Sequence, residues 1–160
     1  MQTTPAEQAA LAHADRAGQP SLQDLMQQAQ ALQAQGQLDR AAALYESWIA
    51  LSDSPLRHVA CFNWGTLLSA AGRHEAAEAA YQQALALDST LAPARLNLGH
   101  MLERRGDSTG ALATWRAVFD GFSEGQPLPT VDLQLHALNN SARLLETLRR
   151  YPEAETLMRR

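Results

Sequence analysis

Apolar residues recur along most of the chain at the three- and four-residue spacing of amphipathic α-helices. In the stretch FNWGTLLSAAGRHEAAEAAYQQALALD, residues 62–88, this spacing runs up to Gly72 and resumes just after it. The pattern predicts no strands and four helix pairs, over 22–35 and 39–51, 55–71 and 74–87, 92–105 and 108–121, and 130–148 and 152–160. It also predicts a further helix near 5–17, packed on the first pair through a small apolar face of Ala9, Ala10, Leu11 and Ala14.

The second regularity is an internal period of 34 residues. The aligned pairs are Asn63 with Asn97, Gly65 with Gly99, Leu68 with Leu102, Gly72 with Gly106, Ala77 with Ala111, and Tyr81 with Trp115. We number repeat positions so that Gly65 and Gly99 stand at position 8. Small residues at positions 8 and 20 let two helices approach closely, while leucine at position 11 and an aromatic ring at position 24 fill the space between them. Upstream, Ala29, Ala41 and Tyr45 take positions 8, 20 and 24 of an earlier unit.

Turn residues mark the helix ends. Gly36, Gly72 and Gly106 each end the first helix of a pair, where a left-handed backbone conformation favours glycine. The dipeptide Ser54–Pro55 and the carboxylate of Asp107 are predicted N-caps, and TPAE at residues 4–7 has the form of a capping box.

A helix–turn–helix period of this length, with small and aromatic residues at these positions, resembles the tetratricopeptide repeat. The resemblance implies an all-α fold, an α-α superhelix of antiparallel helix pairs. It divides the chain into an N-terminal helical arm over 1–20 and a repeat domain over 21–160, with repeats at about 22–57, 58–91 and 92–125 and an incomplete one at 135–160. The sequence departs from the family pattern where a first-helix tryptophan is usual, since those places hold Leu25, Cys61, Arg95 and Leu138.

Composition excludes several function classes. The formal net charge is −4 and all 13 basic residues are arginine, so neither nucleic acid nor an anionic membrane is an expected partner. Arginine without lysine in an alanine-rich chain suggests a GC-rich bacterial genome. One cysteine allows no internal disulfide, and neither a signal peptide nor a membrane span is evident, so the chain is expected in the cytoplasm.

No catalytic constellation is visible in the sequence, so this chain is not expected to be an enzyme. The five histidines do not fall at metal-ligand spacing, and neither a metal nor a cofactor is expected. Glu75 and Glu78 are interpreted as surface residues of a second helix, and Cys61 as a small buried hydrophobe. The three tryptophans, Trp48, Trp64 and Trp115, are expected in the core.

The candidate binding residues lie on first helices. Asn63, Asn97 and Asn140 share position 6, on the expected inner wall of the superhelix, where carboxamides can hold the backbone of an extended peptide. The polar side chains of His100, Arg104 and Arg143 complete this predicted peptide-binding face. The alternative is that the asparagines bond neighbouring helices to each other. The sequence leaves both interpretations open.

The order of motifs is similar to the repeat region of bacterial SPINDLY-type proteins. CFNWGTLLSAAGRHEAAEAAYQQALALD is followed by the Trp115 repeat, an irregular spacer and LNNSARLLETLRRYPEAETLM. In that family, tetratricopeptide repeats precede a glycosyltransferase domain related to the eukaryotic O-linked N-acetylglucosamine transferase, and an asparagine ladder holds acceptor polypeptides. The resemblance implies a docking segment of such an enzyme, and the alternative is a stand-alone scaffold that assembles other proteins.

A last expectation concerns the final helix pair. With no capping helix after it, its apolar side chains are predicted to be partly bare and to promote self-association. These side chains are Leu144, Leu148, Leu157 and Met158.

Overall fold

The computed structural model describes residues 20–120 and 129–159. Within them the chain forms eight α-helices and no strand: α1 (Leu22–Ala34), α2 (Leu38–Leu51), α3 (Arg57–Ala70), α4 (His74–Leu87), α5 (Ala92–Arg105), α6 (Ser108–Phe119), α7 (Val131–Thr147) and α8 (Tyr151–Met158). The predicted all-α fold and its four helix pairs are confirmed. The helix predicted near 5–17 and the capping box at 4–7 lie outside the described residues.

The helices group into two compact units, with the division between Leu87 and Asp88. In the first unit α1 packs on α2, α2 on α3, and α3 on α4. In the second unit α5 packs on α6, α6 on α7, and α7 on α8, and α5 also contacts α7. The turn within each pair is only a few residues long, so the two helices of a pair run antiparallel and share an apolar interface.

Close approach within the pairs depends on the small residues at position 8. A Cβ atom added to Gly65 on α3 would lie 2.7 Å from the ring of Tyr81 on α4. A Cβ atom added to Gly99 on α5 would lie 2.1 Å from Nε1 of Trp115 on α6. Since both rings are almost completely buried, the aromatic residue at position 24 fills the space that glycine leaves, as the period predicted.

Three of the four helix pairs turn through a left-handed glycine, as predicted. The φ angles are 72° at Gly36, 76° at Gly72 and 89° at Gly106. After each glycine the next backbone N–H reaches back to a carbonyl in the preceding helix, for example from Arg73 to Leu68 at 2.9 Å, which is the Schellman pattern.

The fourth pair makes the same turn without glycine. Arg149 has a φ of 57°, and the backbone N–H of Arg150 donates to the carbonyl of Leu145 at 2.8 Å. A side chain in this conformation carries a steric cost that glycine avoids. The turn between α7 and α8 is therefore strained where the other three are relaxed.

Of the N-caps predicted at Asp107 and at Ser54–Pro55, the first is confirmed and the second is wrong. The Asp107 side chain accepts from the backbone N–H of Gly110 at 2.8 Å and caps α6. Ser54 and Pro55 do not begin α3, which starts at Arg57. The Ser54 hydroxyl accepts from the N–H of Leu56 at 3.2 Å, and this bond forms a turn ahead of the helix. An additional capping box, between Ser21 and Asp24 at the start of α1, was missed.

Burial corrects the interpretation of one charged residue. Glu78 is 8% exposed and lies on the buried side of α4, one turn before Tyr81, rather than on the surface. Its carboxylate accepts from Nε2 of Gln82 at 3.2 Å, one turn later on the same helix. The sequence interpretation placed Glu78 on the protein surface, but Glu78 shares the face of α4 that carries the aromatic side chain of position 24.

Arg95 holds the position where a first-helix tryptophan is usual, and it makes polar contacts there. Its guanidinium donates to the carbonyl of Ala117 at 2.9 Å and to that of Ser89 at 2.5 Å. The Ala117 bond joins the start of α5 to the end of α6, so hydrogen bonds supply at this position what an aromatic ring would supply by packing. Cys61, at the equivalent position of α3, is completely buried as predicted.

The tryptophans and the last apolar residues are only partly as predicted. Trp48 and Trp115 are buried, whereas Trp64 is half-buried, with its indole N–H shielded from solvent and without a hydrogen-bond partner in the part of the chain that the structure describes. In the last helix pair Leu144 and Leu157 are buried at 4% and 5% exposure, which corrects the expectation that they are bare. Their burial comes from packing of α7 against α8 and α6. The other two, Leu148 and Met158, are exposed.

Candidate functional site

Two side-chain pairs join α5 to α7 in the second unit. Asn140 Nδ2 on α7 lies 3.3 Å from Nε2 of His100 on α5. One turn further along both helices, the Arg143 guanidinium donates to both carboxylate oxygens of Glu103 at 2.8 and 2.7 Å. We call the surface formed by His100, Glu103, Asn140 and Arg143 the α5–α7 face. It brings together three of the predicted peptide-binding residues, His100, Asn140 and Arg143.

The His100 ring of this face also packs against the core. Its imidazole meets the indole of Trp115 edge to face, with ring centroids 5.3 Å apart. Burial lowers the pKa of His100, Arg143 and His136 lower it further, and Glu103 acts in the opposite direction. Because an amide nitrogen donates, the contact from Asn140 suits an unprotonated Nε2, as in the neutral imidazole that the lowered pKa favours.

The ion pair of the α5–α7 face lies at the surface. The Arg143 side chain is 54% exposed and that of Glu103 is 24% exposed. An exposed pair of this kind contributes about 0–1 kcal/mol to stability, since water competes for both partners. The pair therefore does little to hold the helices together, but it orients the guanidinium while more than half of the Arg143 side chain stays exposed.

Arg104 and Asn97 extend the same side of α5. Arg104 lies four residues after His100 and is exposed, and Asn97 lies three residues before His100 and is half-buried. Residues three and four apart share one face of a helix. Both predicted residues therefore belong beside the α5–α7 face by their position on the helix.

Asn63 lies in the first unit, on α3, and its surroundings differ from those of Asn140. The side chain is half-buried, and Nδ2 is shielded from solvent without a hydrogen-bond partner among the described residues. Beside it the Phe62 ring meets the Tyr81 ring at a centroid distance of 6.0 Å, and the Tyr81 hydroxyl lies 3.4 Å from Thr66 Oγ1. Residues with the same repeat position thus differ in their partners: Asn140 contacts a neighbouring helix, whereas the Asn63 amide nitrogen does not.

Sequence reasoning identified these residues but not their pairing. His100 and Asn140, like Glu103 and Arg143, are 40 residues apart rather than one period apart. The irregular spacer sets the equivalent residues Asn97 and Asn140 43 residues apart, and each contact joins a residue to one three positions earlier in the next repeat. A period of 34 carries no information about contacts across that spacer. Only the packing of α7 against α5 establishes which side chains meet.

Over residues 20–120 and 129–159, no three His, Cys, Asp or Glu side chains are grouped so that they would hold a metal ion. None of the helices in those two ranges has the length and apolar character needed to cross a bilayer.

Comparison with known proteins identifies the class. Residues 62–127 match the family model of the tetratricopeptide repeat. The fold also matches solved structures, among them MamA, with a TM-score of 0.67 and 18% identity over 86% of this chain and 74% of that one. No curated protein matches the sequence significantly. The sequence match identifies tetratricopeptide repeats over residues 62–127, and the fold of such repeats extends over most of the chain.

Two other solved structures share the fold at similarly low identity. A tetratricopeptide repeat protein from Parabacteroides merdae has a TM-score of 0.70 and 20% identity over 84% of this chain, which spans half of that protein's length. A putative kinesin light chain from Podosopora anserina with nearly identical repeats has a TM-score of 0.65 and 19% identity, over 96% of this chain and 78% of that one. Identities this low describe the fold and not the partners.

Proposed function

We propose that the chain is a protein-interaction module whose α5–α7 face binds an extended polypeptide. The observation that carries the proposal is the arrangement of polar groups across two first helices. His100 and Asn140, and Glu103 and Arg143, are held in fixed pairs, while Arg104 and most of Arg143 remain exposed. Groups that are already oriented lose little conformational entropy when a ligand binds.

The polypeptide backbone is the favoured ligand because the face is polar and mixed in charge. Amide and guanidinium donors can bind peptide carbonyls, and the Glu103 carboxylate can accept from peptide N–H groups. An apolar cofactor would find no matching surface there. Contacts of this kind bind many sequences, since they do not depend on the ligand's side chains.

The direct test uses an array of unrelated extended peptides and the double variant Arg104→Gln with Arg143→Gln. We expect the variant to bind all of the retained peptides more weakly, with a loss of about 1–3 kcal/mol for hydrogen bonds to charged groups. Arg40→Gln, an exposed substitution on the second helix α2, is the matched control and should bind as the unmodified chain does. If the double variant binds the peptides as tightly as Arg40→Gln does, the α5–α7 face is not the binding site.

The asparagines need a separate test that measures melting and peptide affinity on the same protein. Asn63→Ala removes an amide nitrogen that has no hydrogen-bond partner among residues 20–120 and 129–159, so it should leave the melting temperature unchanged. Together with Asn97→Ala it should weaken peptide binding by about 1 kcal/mol per lost pair of hydrogen bonds. Asn140→Ala loses its contact with His100 and should lower the stability by about 0.5–1.5 kcal/mol. An early-melting Asn63/Asn97 variant that binds peptides normally would show a structural role for these two amides.

We further propose that the module serves as the acceptor-docking segment of a SPINDLY-like glycosyltransferase. The support is the order of motifs, in which the Trp115 repeat is followed by a spacer and by the segment NNSARLLE. A stand-alone scaffold or adaptor is the second candidate, because the interaction face needs no enzyme beside it. The parent reading frame beyond Arg160 separates the two: a glycosyltransferase domain there supports docking, and its absence supports the scaffold.

A further inference from the structure

A second candidate binding surface lies between the second helices of two repeats. Between the second helices α6 and α8, with α7 beneath, there is a cavity of about 370 Å³. Its apolar floor consists of Leu112, Leu145 and Leu157, and its polar rim includes Arg116, Arg150 and Glu153. We call it the α6–α8 groove. It shares no residue with the α5–α7 face.

The floor of the α6–α8 groove can accommodate apolar side chains. Each of its three leucines is less than a tenth exposed, so they are fixed in position by their own packing. The cavity volume is near the lower end of the range of about 300–1,000 Å³ that is usual for ligand sites. A groove of this size between two helices suits one or two large apolar side chains from a third helix.

The two arginines of the rim differ in their partners. Arg150 donates to both carboxylate oxygens of Glu153 at 2.6 and 2.7 Å. Arg116 lies 3.9 Å from Asp120 and within electrostatic range of Glu153, and its side chain is 55% exposed. A separation of 3.9 Å is too long for a hydrogen bond. Arg116 is therefore the guanidinium with donors available for an incoming carboxylate.

The first unit has an ion pair between two repeats that the residues at the same repeat positions of the second unit cannot form. There Asp39 on α2 lies 3.9 Å from Arg73, the residue just before α4, so an acidic residue of one repeat faces an arginine of the next. The repeat positions of these two residues are held by Thr109 and Arg150 in the second unit. The hydroxyl of Thr109 brings no negative charge, so the chain itself supplies no acid from α6 to this side of the groove.

We infer that the α6–α8 groove binds a helix of a partner protein that carries apolar side chains one turn apart, followed by a carboxylate. The apolar side chains lie on the leucine floor, and the carboxylate accepts hydrogen bonds from Arg116. A bidentate arginine–carboxylate pair fixes the register of the partner helix as well as adding affinity. The groove thus gives the chain a second interaction surface, on second helices, which does not depend on peptide binding by first helices.

The test uses two synthetic helical peptides and the isotopically labelled full chain. One peptide has two leucines four residues apart and a glutamate one turn later; the other has glutamine in place of glutamate. Amide resonances of α6 and α8 should shift on titration, and the glutamate peptide should bind about threefold tighter, as expected for a partly exposed ion pair. The Arg116→Gln variant should bind both peptides equally, because only the charge-dependent part of the affinity is removed.

A matched pair of substitutions tests the location. Ala113→Phe places a ring in the groove and should weaken binding of the glutamate peptide at least tenfold. Ala43→Phe introduces the same ring at the same repeat position of α2, where the alanine is likewise exposed, and should leave binding unchanged. Circular dichroism of both variants should give the melting curve of the unmodified chain, since exposed positions tolerate the change.

Several results would overturn the inference. These are an absence of resonance shifts at millimolar peptide, shifts confined to α5 and α7, equal affinity for the two peptides, or normal binding by the Ala113→Phe variant. Self-association that the same substitution abolishes would assign the groove to a second copy of this chain instead. Because the peptide array reports on the α5–α7 face through Arg104 and Arg143, failure of one proposal leaves the other intact.

Discussion

The indole ring of Trp115 lies directly against the backbone of Gly99, so close that Nε1 would be 2.1 Å from a Cβ atom at that position. The same indole nitrogen donates to the carbonyl of Leu96, three residues before Gly99 on α5, at 3.0 Å. One aromatic side chain thus both fills the gap between α5 and α6 and satisfies its own buried polar atom.

Gly99→Ala should therefore destabilise the chain. The added methyl group must displace a fully buried ring, and overpacking of this kind costs about 1–3 kcal/mol. Urea unfolding measures the loss. Trp115→Phe in the same chain should recover part of it, because the smaller ring leaves room for the methyl group. If Gly99→Ala unfolds at the unmodified urea concentration, the ring does not pack as described.

Arg149→Gly should stabilise the turn between α7 and α8. Arginine occupies a left-handed conformation there at a φ of 57°, and relief of that strain should raise the stability by about 1 kcal/mol. The reverse change, Gly72→Arg at a φ of 76°, is the control and should lower the stability by a similar amount. Thermal melting of both variants measures the effect. A lower melting temperature for Arg149→Gly would contradict it.

Stability should depend on pH through His100. Its pKa in the folded chain is lowered from the ordinary 6.5, chiefly by burial, so the folded chain binds this proton more weakly than the unfolded chain does. The contribution is fully present above pH 6.5 and is lost as the pH falls through the lowered pKa. Urea unfolding over this range should show a steeper decline for the unmodified chain than for His100→Gln. Parallel curves would mean that the ring is not held neutral by the fold.

Cys61 should be almost inert while the chain is folded. Burial raises the pKa of its thiol from 9.0 to about 11, while the nearby Arg57 acts in the opposite direction. The thiolate is the reactive form, so the shift alone should slow reaction with a thiol reagent about 100-fold near neutral pH, and lack of access slows it further. The same reagent added in denaturant gives the reference rate. Rapid modification without denaturant would show that α3 opens readily.

Prediction from the sequence succeeded where the determinants are local or periodic. Gly36, Gly72 and Gly106 predicted the turns because glycine adopts the left-handed backbone conformation without the steric penalty of a side chain. The start of α3 was predicted at Pro55 and found at Arg57, because the Ser54 hydroxyl forms a turn first. That competition between a cap and a turn depends on the local backbone geometry, which residue type alone does not specify.

The sequence by itself determined the helix pairs, their turns and their small-residue interfaces, since helical spacing and the 34-residue period repeat these features along the chain. Only the tertiary structure decided which polar side chains meet. The contacts of His100 with Asn140, and of Glu103 with Arg143, cross an irregular spacer, and the burial of Glu78 depends on which side of α4 is covered. The physical reason is that helix formation depends on neighbours in sequence, whereas a hydrogen bond between helices requires two backbones placed within a fraction of an ångström of the right separation.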